Sequence, residues 1–307
     1  MAASFLADAR AFWAATRKEW RLLRRYPGSF LSFIFWPIAL PLAFVVQAQA
    51  FSGGRDDTMA AFMERTGTNE VAGFLFVGWA TYMWLSIILW GPGTSLRTEQ
   101  IRGSLEAIFL TPASRLVVLF GPAISQLIWA VWIFVVVGVA LWIGFGVTIG
   151  PAEALRALTV IVVGVPALYA IGALFAAVVL RFGEVHALVQ SVRGLFTAVC
   201  GMSFPIVVLP DWAQVVALSL PPTYLIADLR AVLLTGSEIG RIVGDLAILA
   251  SMGVVLAIAA VIAFRRTELH ARRGGRLAQY CCTSCETRRA PRGRWRARSC
   301  GSSRATG

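Results

Sequence analysis

Long apolar runs separated by short polar breaks set the architecture of this chain. They cover about residues 30–50, 71–95, 116–147, 158–180, 194–209 and 242–264. A helix needs about 20 apolar residues to cross a bilayer, and every run except 194–209 reaches that length. The pattern predicts an all-α integral membrane protein with six transmembrane helices, the fifth short and interrupted by Pro205. Pro37 and Pro41 fall inside the first span, where neighbouring helices can satisfy the carbonyls that proline frees. Gly91-Pro92-Gly93 predicts a kink near the end of the second span. The third is longer than a bilayer requires and is expected to tilt or project.

The polar stretches between these runs differ in kind. Residues 5–25 follow helical spacing, with Phe5, Ala9, Phe12, Trp13, Thr16, Trp20 and Leu23 on one side. Arg10, Arg17, Arg21 and Arg24 stack on the other, with Lys18 and Arg25 beside them. Rings opposite a basic face suit a helix lying in the headgroup boundary, where the arginines meet lipid phosphates. The same spacing would serve a soluble helix packed on a partner. Residues 96–115 form a long polar break between strongly apolar segments, with Glu99, Glu106, Arg97, Arg102 and Arg115. Within it Ser104–Leu110 reads as a short helix stopped by Thr111-Pro112, because proline cannot continue a helix. Residues 181–193 read as a polar turn. The stretch from Leu209 to Arg241 is moderately apolar but broken by Pro210, Pro221, Pro222 and Gly236. It reads as one or two short helices at the membrane boundary, or a re-entrant pair.

Composition agrees with this pattern. The chain is 58% hydrophobic and 14% charged, against about 25% charged in soluble domains. No cleavable signal peptide is expected, because no short apolar core precedes the basic N-terminal residues. The net charge of +12 would suggest nucleic acid, but residues 265–307 alone carry twelve arginines against Glu268 and Glu286. The other 264 residues sum to +2. Three parts follow: an interfacial helix over 1–29, a six-span domain over 30–266, and a basic tail over 267–307 whose composition predicts disorder.

Arginine placement predicts the orientation. With the N-terminus inside, the cytoplasmic segments hold 23 basic residues and the external ones five. Both termini and the 96–115 break are then cytoplasmic, and the broken stretch before the last span is external. The expected location is the plasma membrane.

The chemistry that the chain omits narrows its function. No charged residue lies in the middle of a span as drawn, whereas ion-coupled carriers place ionisable groups there. Asp245 comes nearest and reads as a helix-start acid at the interface. A phosphate-binding loop needs a lysine after glycine. The single lysine, Lys18, lies between Arg17 and Glu19. Transport energy would therefore come from another chain. Enzyme readings are thin: His186 lies beside Glu184 in the polar turn, and His270 follows the last span. Cys281, Cys282, Cys285 and Cys300 contain one C-x-x-C pair, whereas zinc ribbons use two, so no metal is expected. Cys200 reads as a small packing residue.

Two local patterns carry a resemblance. Residues 99–112 (EQIRGSLEAIFLTP) are similar to the E-x-x-x-G-T/S-L-E-x-L/I-x-x-T-P stretch of the type-2 ABC exporter permeases. Leu209-Pro210-Asp211-Trp212, Pro221-Pro222-Thr223-Tyr224 and Asp228-Leu229-Arg230 look like that family's L-P-x-W…P-x-T-Y…D-x-x-R segment. The resemblance covers roughly residues 10–266 and leaves the tail without an expected role.

By position, the resemblance implies a coupling helix over 102–110, seated in a groove of a separate ATPase subunit. Glu99, Arg102 and Glu106 would make charged contacts, and Leu105, Ile108 and Phe109 the apolar ones. Gly103, Ser104, Thr111 and Pro112 complete that motif. Phe12, Trp13, Arg17, Trp20 and Arg21 of the interfacial helix would brace the same interface. Two ATPase subunits would bind ATP and magnesium, which this chain does not, and would drive two permease protomers, identical or related. A path between protomers would be lined by spans two and five, with Ser86, Trp90, Thr94, Thr197, Met202 and Phe204 as candidates. Ordinary helix packing would use the same residue types. Pro210, Trp212, Pro222, Tyr224 and Arg230 mark the external motif. The implied function is export of an amphipathic drug, antibiotic or lipid-like cargo. Export of a polysaccharide or glycolipid by the same machinery, or a lipid-modifying membrane enzyme, are the alternatives.

Overall fold

The computed structural model describes residues 27–52, 62–68, 70–101, 123–182 and 185–273, with Trp13, Ala14, Thr16, Arg17, Arg21 and Arg25 of the N-terminal segment. Every regular element among them is helical. In chain order these are α1 (Pro27–Ser52), α2 (Val71–Ile101), α3 (Ala123–Phe145), α4 (Pro151–Phe182) and α5 (Val185–Val199). A 3-10 turn (Ile206–Val208), α6 (Asp211–Leu218), α7 (Pro221–Thr235) and α8 (Ile239–Arg273) follow.

Four helical stretches are long and apolar enough to cross a membrane: Val71–Gly91, Gln126–Phe145, Pro151–Val179 and Ile239–Ala263. The α6–α7 pair, bent by 87°, makes a fifth if it is counted as one span. The apolar part of α1, Ile34–Ala50, is shorter. The described residues therefore hold four or five candidate spans by length, not the expected six.

The 194–209 run is where the expectation fails. It is not one continuous helix, and residues 181–193 are not simply a turn. Helix α5 takes Val185–Val199, and Gly201 then adopts a left-handed φ of +68°. Pro205 is extended at φ −69° and ψ 139°, which leads into the 3-10 turn. A left-handed glycine followed by proline stops a helix whatever the apolarity around it. Two other boundaries also move. Helix α4 begins at Pro151 instead of Leu158, because proline at the first helical position loses no hydrogen bond. The Glu153 carboxylate accepts the Gly150 N–H and caps this start. Helix α2 runs on through Gly91-Pro92-Gly93 to Ile101.

Helix α2 is central: it packs against α1, α3, α4, α5 and α7. Its Trp84, Leu85, Ile88 and Leu89 are wholly buried. They join Val160 and Leu168 of α4, Leu225 and Leu229 of α7 and Leu249 of α8 in the main core. A second cluster joins Val45 of α1 with Phe76 of α2 and Ile133 and Leu141 of α3. Helices α4 and α8 pack along much of their length.

Candidate functional site

The broken pair is held by built-in stops. Pro221 and Pro222 occupy the first positions of α7, and Gly236 ends it in the left-handed conformation at φ +64°. The Thr223 hydroxyl donates to the Ala217 carbonyl at 2.6 Å, tying α7 to the last turn of α6. Arg156 of α4 donates through Nη1 to the Gly236 carbonyl at 3.0 Å. Leu225 packs where Gly164 of α4 has no side chain, since a Cβ there would lie 2.7 Å from Leu225 Cδ1.

Arg230 joins three parts of the chain. Its Nε and Nη2 donate to the Phe74 carbonyl at 3.1 and 3.0 Å. Nη1 donates to the Gly201 carbonyl at 2.9 Å, and Nη2 to the Met202 carbonyl at 2.8 Å. The guanidinium carbon lies 3.4 Å from the centroid of the Phe74 ring. One planar fork thus connects α7, the start of α2 and the carbonyls just beyond α5, where a cation is favoured. Gly78 makes the approach possible, because a Cβ there would lie 1.9 Å from the Met202 carbonyl oxygen and 2.5 Å from Arg230 Nη2. Asp228, two residues earlier, is buried at 1% exposure. Its Oδ2 has no hydrogen-bond partner among the described residues.

Helices α2 and α5 meet further along. Arg193 of α5 donates through Nη2 to the Tyr82 hydroxyl, and its guanidinium lies 4.8 Å from the Tyr82 ring centroid. The Trp90 and His186 rings meet edge-on with centroids 4.9 Å apart. His186 thus faces an indole. Glu184, its expected neighbour, lies outside the described residues.

The residues expected to line a path fall along this contact with different exposures. Ser86 is buried and donates to the Tyr82 carbonyl at 2.7 Å. Thr197 is half-buried and donates to the Arg193 carbonyl at 2.8 Å. Met202 is wholly buried and Phe204 half-buried. The side chain of Thr94 lies outside the described residues. In the external motif, Arg230 and Pro222 are packed inward, Tyr224 is half-buried, Pro210 is exposed, and Trp212 is 72% exposed. In the N-terminal segment Trp13, Arg17 and Arg21 are helical and exposed, while Phe12 and Trp20 lie outside the described residues. Glu99 belongs to the last turns of α2. The rest of the expected coupling motif, Arg102 to Pro112, lies outside the described residues.

The sequence reading missed Phe74, Gly78, Gly201 and Arg193. Only Gly201 carries a local signal, a glycine four residues before a proline. The others matter through contacts made across the fold.

No curated relative matches the chain. Residues 55–262, about two-thirds of its length, match the family described as "ABC-2 family transporter protein". The match takes in α2 through α7 and nearly all of the apolar part of α8. The chain belongs to the ABC-2 family of transporter proteins and is a multi-span membrane component of an ABC transporter.

Proposed function

We propose that this chain is the permease subunit of an ATP-driven exporter that moves an amphipathic drug, antibiotic or lipid-like cargo out across the plasma membrane. The energy comes from two separate ATPase subunits, and the permease works as a pair of protomers. One observation carries this reading beyond the family. Helix α2 extends from Phe74, held by Arg230, to Glu99 at the edge of the coupling motif. That is about 38 Å at 1.5 Å per residue, enough to cross the roughly 30 Å hydrocarbon core. A continuous helix of this length can carry a displacement at the ATPase side to the broken pair at the other end. Bistable packing at helix contacts is the usual way such shifts become alternating states. The orientation set by arginine placement supports the same assignment, with the coupling motif inside and the broken pair outside.

The test is co-purification with a candidate ABC ATPase subunit from the same organism, comparing wild type with Glu106→Arg combined with Phe109→Asp. The ATPase should be retained by wild type and lost by the double variant. Retention by both would remove residues 99–112 from the interface. Absence from both would remove the partnership itself.

A further inference from the structure

An apolar groove of about 620 Å³ lies between α3 and α4, with Val77 of α2 and Leu233 of α7 at its floor. We propose that it holds one acyl chain of a membrane lipid. Its lip is exposed: Val135 by 50%, Trp142 by 62% and Leu158 by 43%. All three belong to stretches apolar and long enough to span the bilayer, so the groove opens sideways onto hydrocarbon. Water gains little against such a lining. An unfilled groove would also forfeit the dispersion contacts that its walls could make.

The dimensions select the occupant. The α3 wall runs from Val131 to Trp142. That is about 17 Å at 1.5 Å per residue, close to half of the roughly 30 Å hydrocarbon core. The groove is therefore one leaflet deep. One end lies at Val131, about 21 Å along α3 from its last residue, Phe145, and so just past mid-bilayer. The other lies at the turn between α3 and α4, where Thr148 and Ile149 close the lining. Glu153 and Arg156 begin the next helix there, and a tryptophan beside such a polar turn marks headgroup level. An acyl chain entering from that leaflet would run the length of the groove with its headgroup at the turn. The lining includes no residue of α5 and none of the candidates named for the transport path, so the inference does not depend on that path.

The experiment uses the full chain in nanodiscs of phosphatidylethanolamine and phosphatidylglycerol, with a trace of lipid carrying a diazirine at the terminal carbon of one acyl chain. After irradiation, adducts are mapped by peptide mass spectrometry. They should concentrate at Val131–Val135, above the level on Val254, Val255 and Ile258 of α8, which are exposed and do not line this groove. Moving the diazirine next to the ester should move the adducts to Trp142–Ile149. Gly138→Phe projects a ring into the groove and should lower the α3 adducts about tenfold, equivalent to 1.4 kcal/mol of lost affinity. The α8 adducts should stay unchanged. If Gly138→Phe alters the α8 pattern as well, Leu158→Trp fills the same groove from the other wall and decides the question. Equal labelling of α3 and α8, or labelling insensitive to both variants, would overturn the proposal.

Discussion

Arg230 grips Phe74 in two ways. Its guanidinium lies 3.4 Å from the ring centroid and also donates two hydrogen bonds to the Phe74 carbonyl. The two residues are 156 positions apart. The same side chain holds the Gly201 and Met202 carbonyls, so the broken pair cannot leave α2 without also releasing the end of α5. A planar fork with five fixed donors can serve three carbonyls at once. An ammonium offers its donors from a single point and has no face to lay on a ring.

Arg230→Met should destabilise the protein by an amount on the order of 1–3 kcal/mol, the usual cost of leaving buried acceptors unpaired. Arg230→Lys should recover only part of the loss. Thermal unfolding in detergent gives the ranking. Hydrogen exchange gives the location: amides over residues 201–208 should lose protection first. An Arg230→Lys variant as stable as wild type would show that the charge matters and the fork does not.

Gly78→Ala adds a single methyl group, yet it should cost about as much as a badly overpacked core substitution, roughly 1–3 kcal/mol. The added carbon would meet a backbone carbonyl at 1.9 Å, and a backbone carbonyl cannot rotate away as a side chain can. Gly144→Ala is the control, since nothing lies within 4 Å of its added Cβ. It should be neutral or slightly stabilising, because alanine favours a helix over glycine by about 1 kcal/mol. The difference in melting temperature between the two variants measures the close approach. Equal melting temperatures would contradict it.

Much of this was legible in the sequence, and the failures have physical causes. Apolar runs located the four long spans because length and hydropathy are local properties. The prolines at 221 and 222 located the break before α7. The 194–209 run misled because hydropathy says nothing about backbone conformation. Gly201 at φ +68° and extended Pro205 divide it. The polar residues before it, Arg193 among them, read as a turn. In the fold its guanidinium finds the Tyr82 hydroxyl and ring, 111 positions away, and the helix can run through. No window of sequence contains such a contact. Arg230 was found only through its motif, and its partners Phe74 and Gly78 look like any other residues of an apolar helix.

Thr197 gives a test that separates a transport path from packing. Its half-buried hydroxyl is satisfied within its own helix, so the side chain is not needed to join α5 to α2. If the α2–α5 face lines the path, Thr197→Trp should lower export severely. Co-purification with the ATPase and the melting temperature should stay near wild type. Thr197→Ser keeps the hydroxyl and removes a methyl group, and should export normally. If Thr197→Trp instead lowers the melting temperature in step with export, the residue is a packing residue.

Asp228 separates stability from function more sharply. It is buried in α7 with Oδ2 unpaired among the described residues. Asp245 on the neighbouring α8 adds a like charge. The fork of Arg230 is directed to carbonyls and not to this carboxyl. An unpaired buried carboxyl costs folding free energy, so Asp228→Asn should raise stability. A gain of about 1 kcal/mol corresponds to roughly 1–2 °C for a chain of this size. Asparagine keeps the shape and one acceptor, so the packing around Leu225 and Leu229 should not change. Export by Asp228→Asn then distinguishes two roles. If export is kept while stability rises, the carboxyl is only tolerated. If stability rises and export falls, the chain retains a destabilising acid because its working cycle needs one, as functional sites often do. A fall in melting temperature would contradict the premise, because it would mean that the carboxyl is paired in the folded protein.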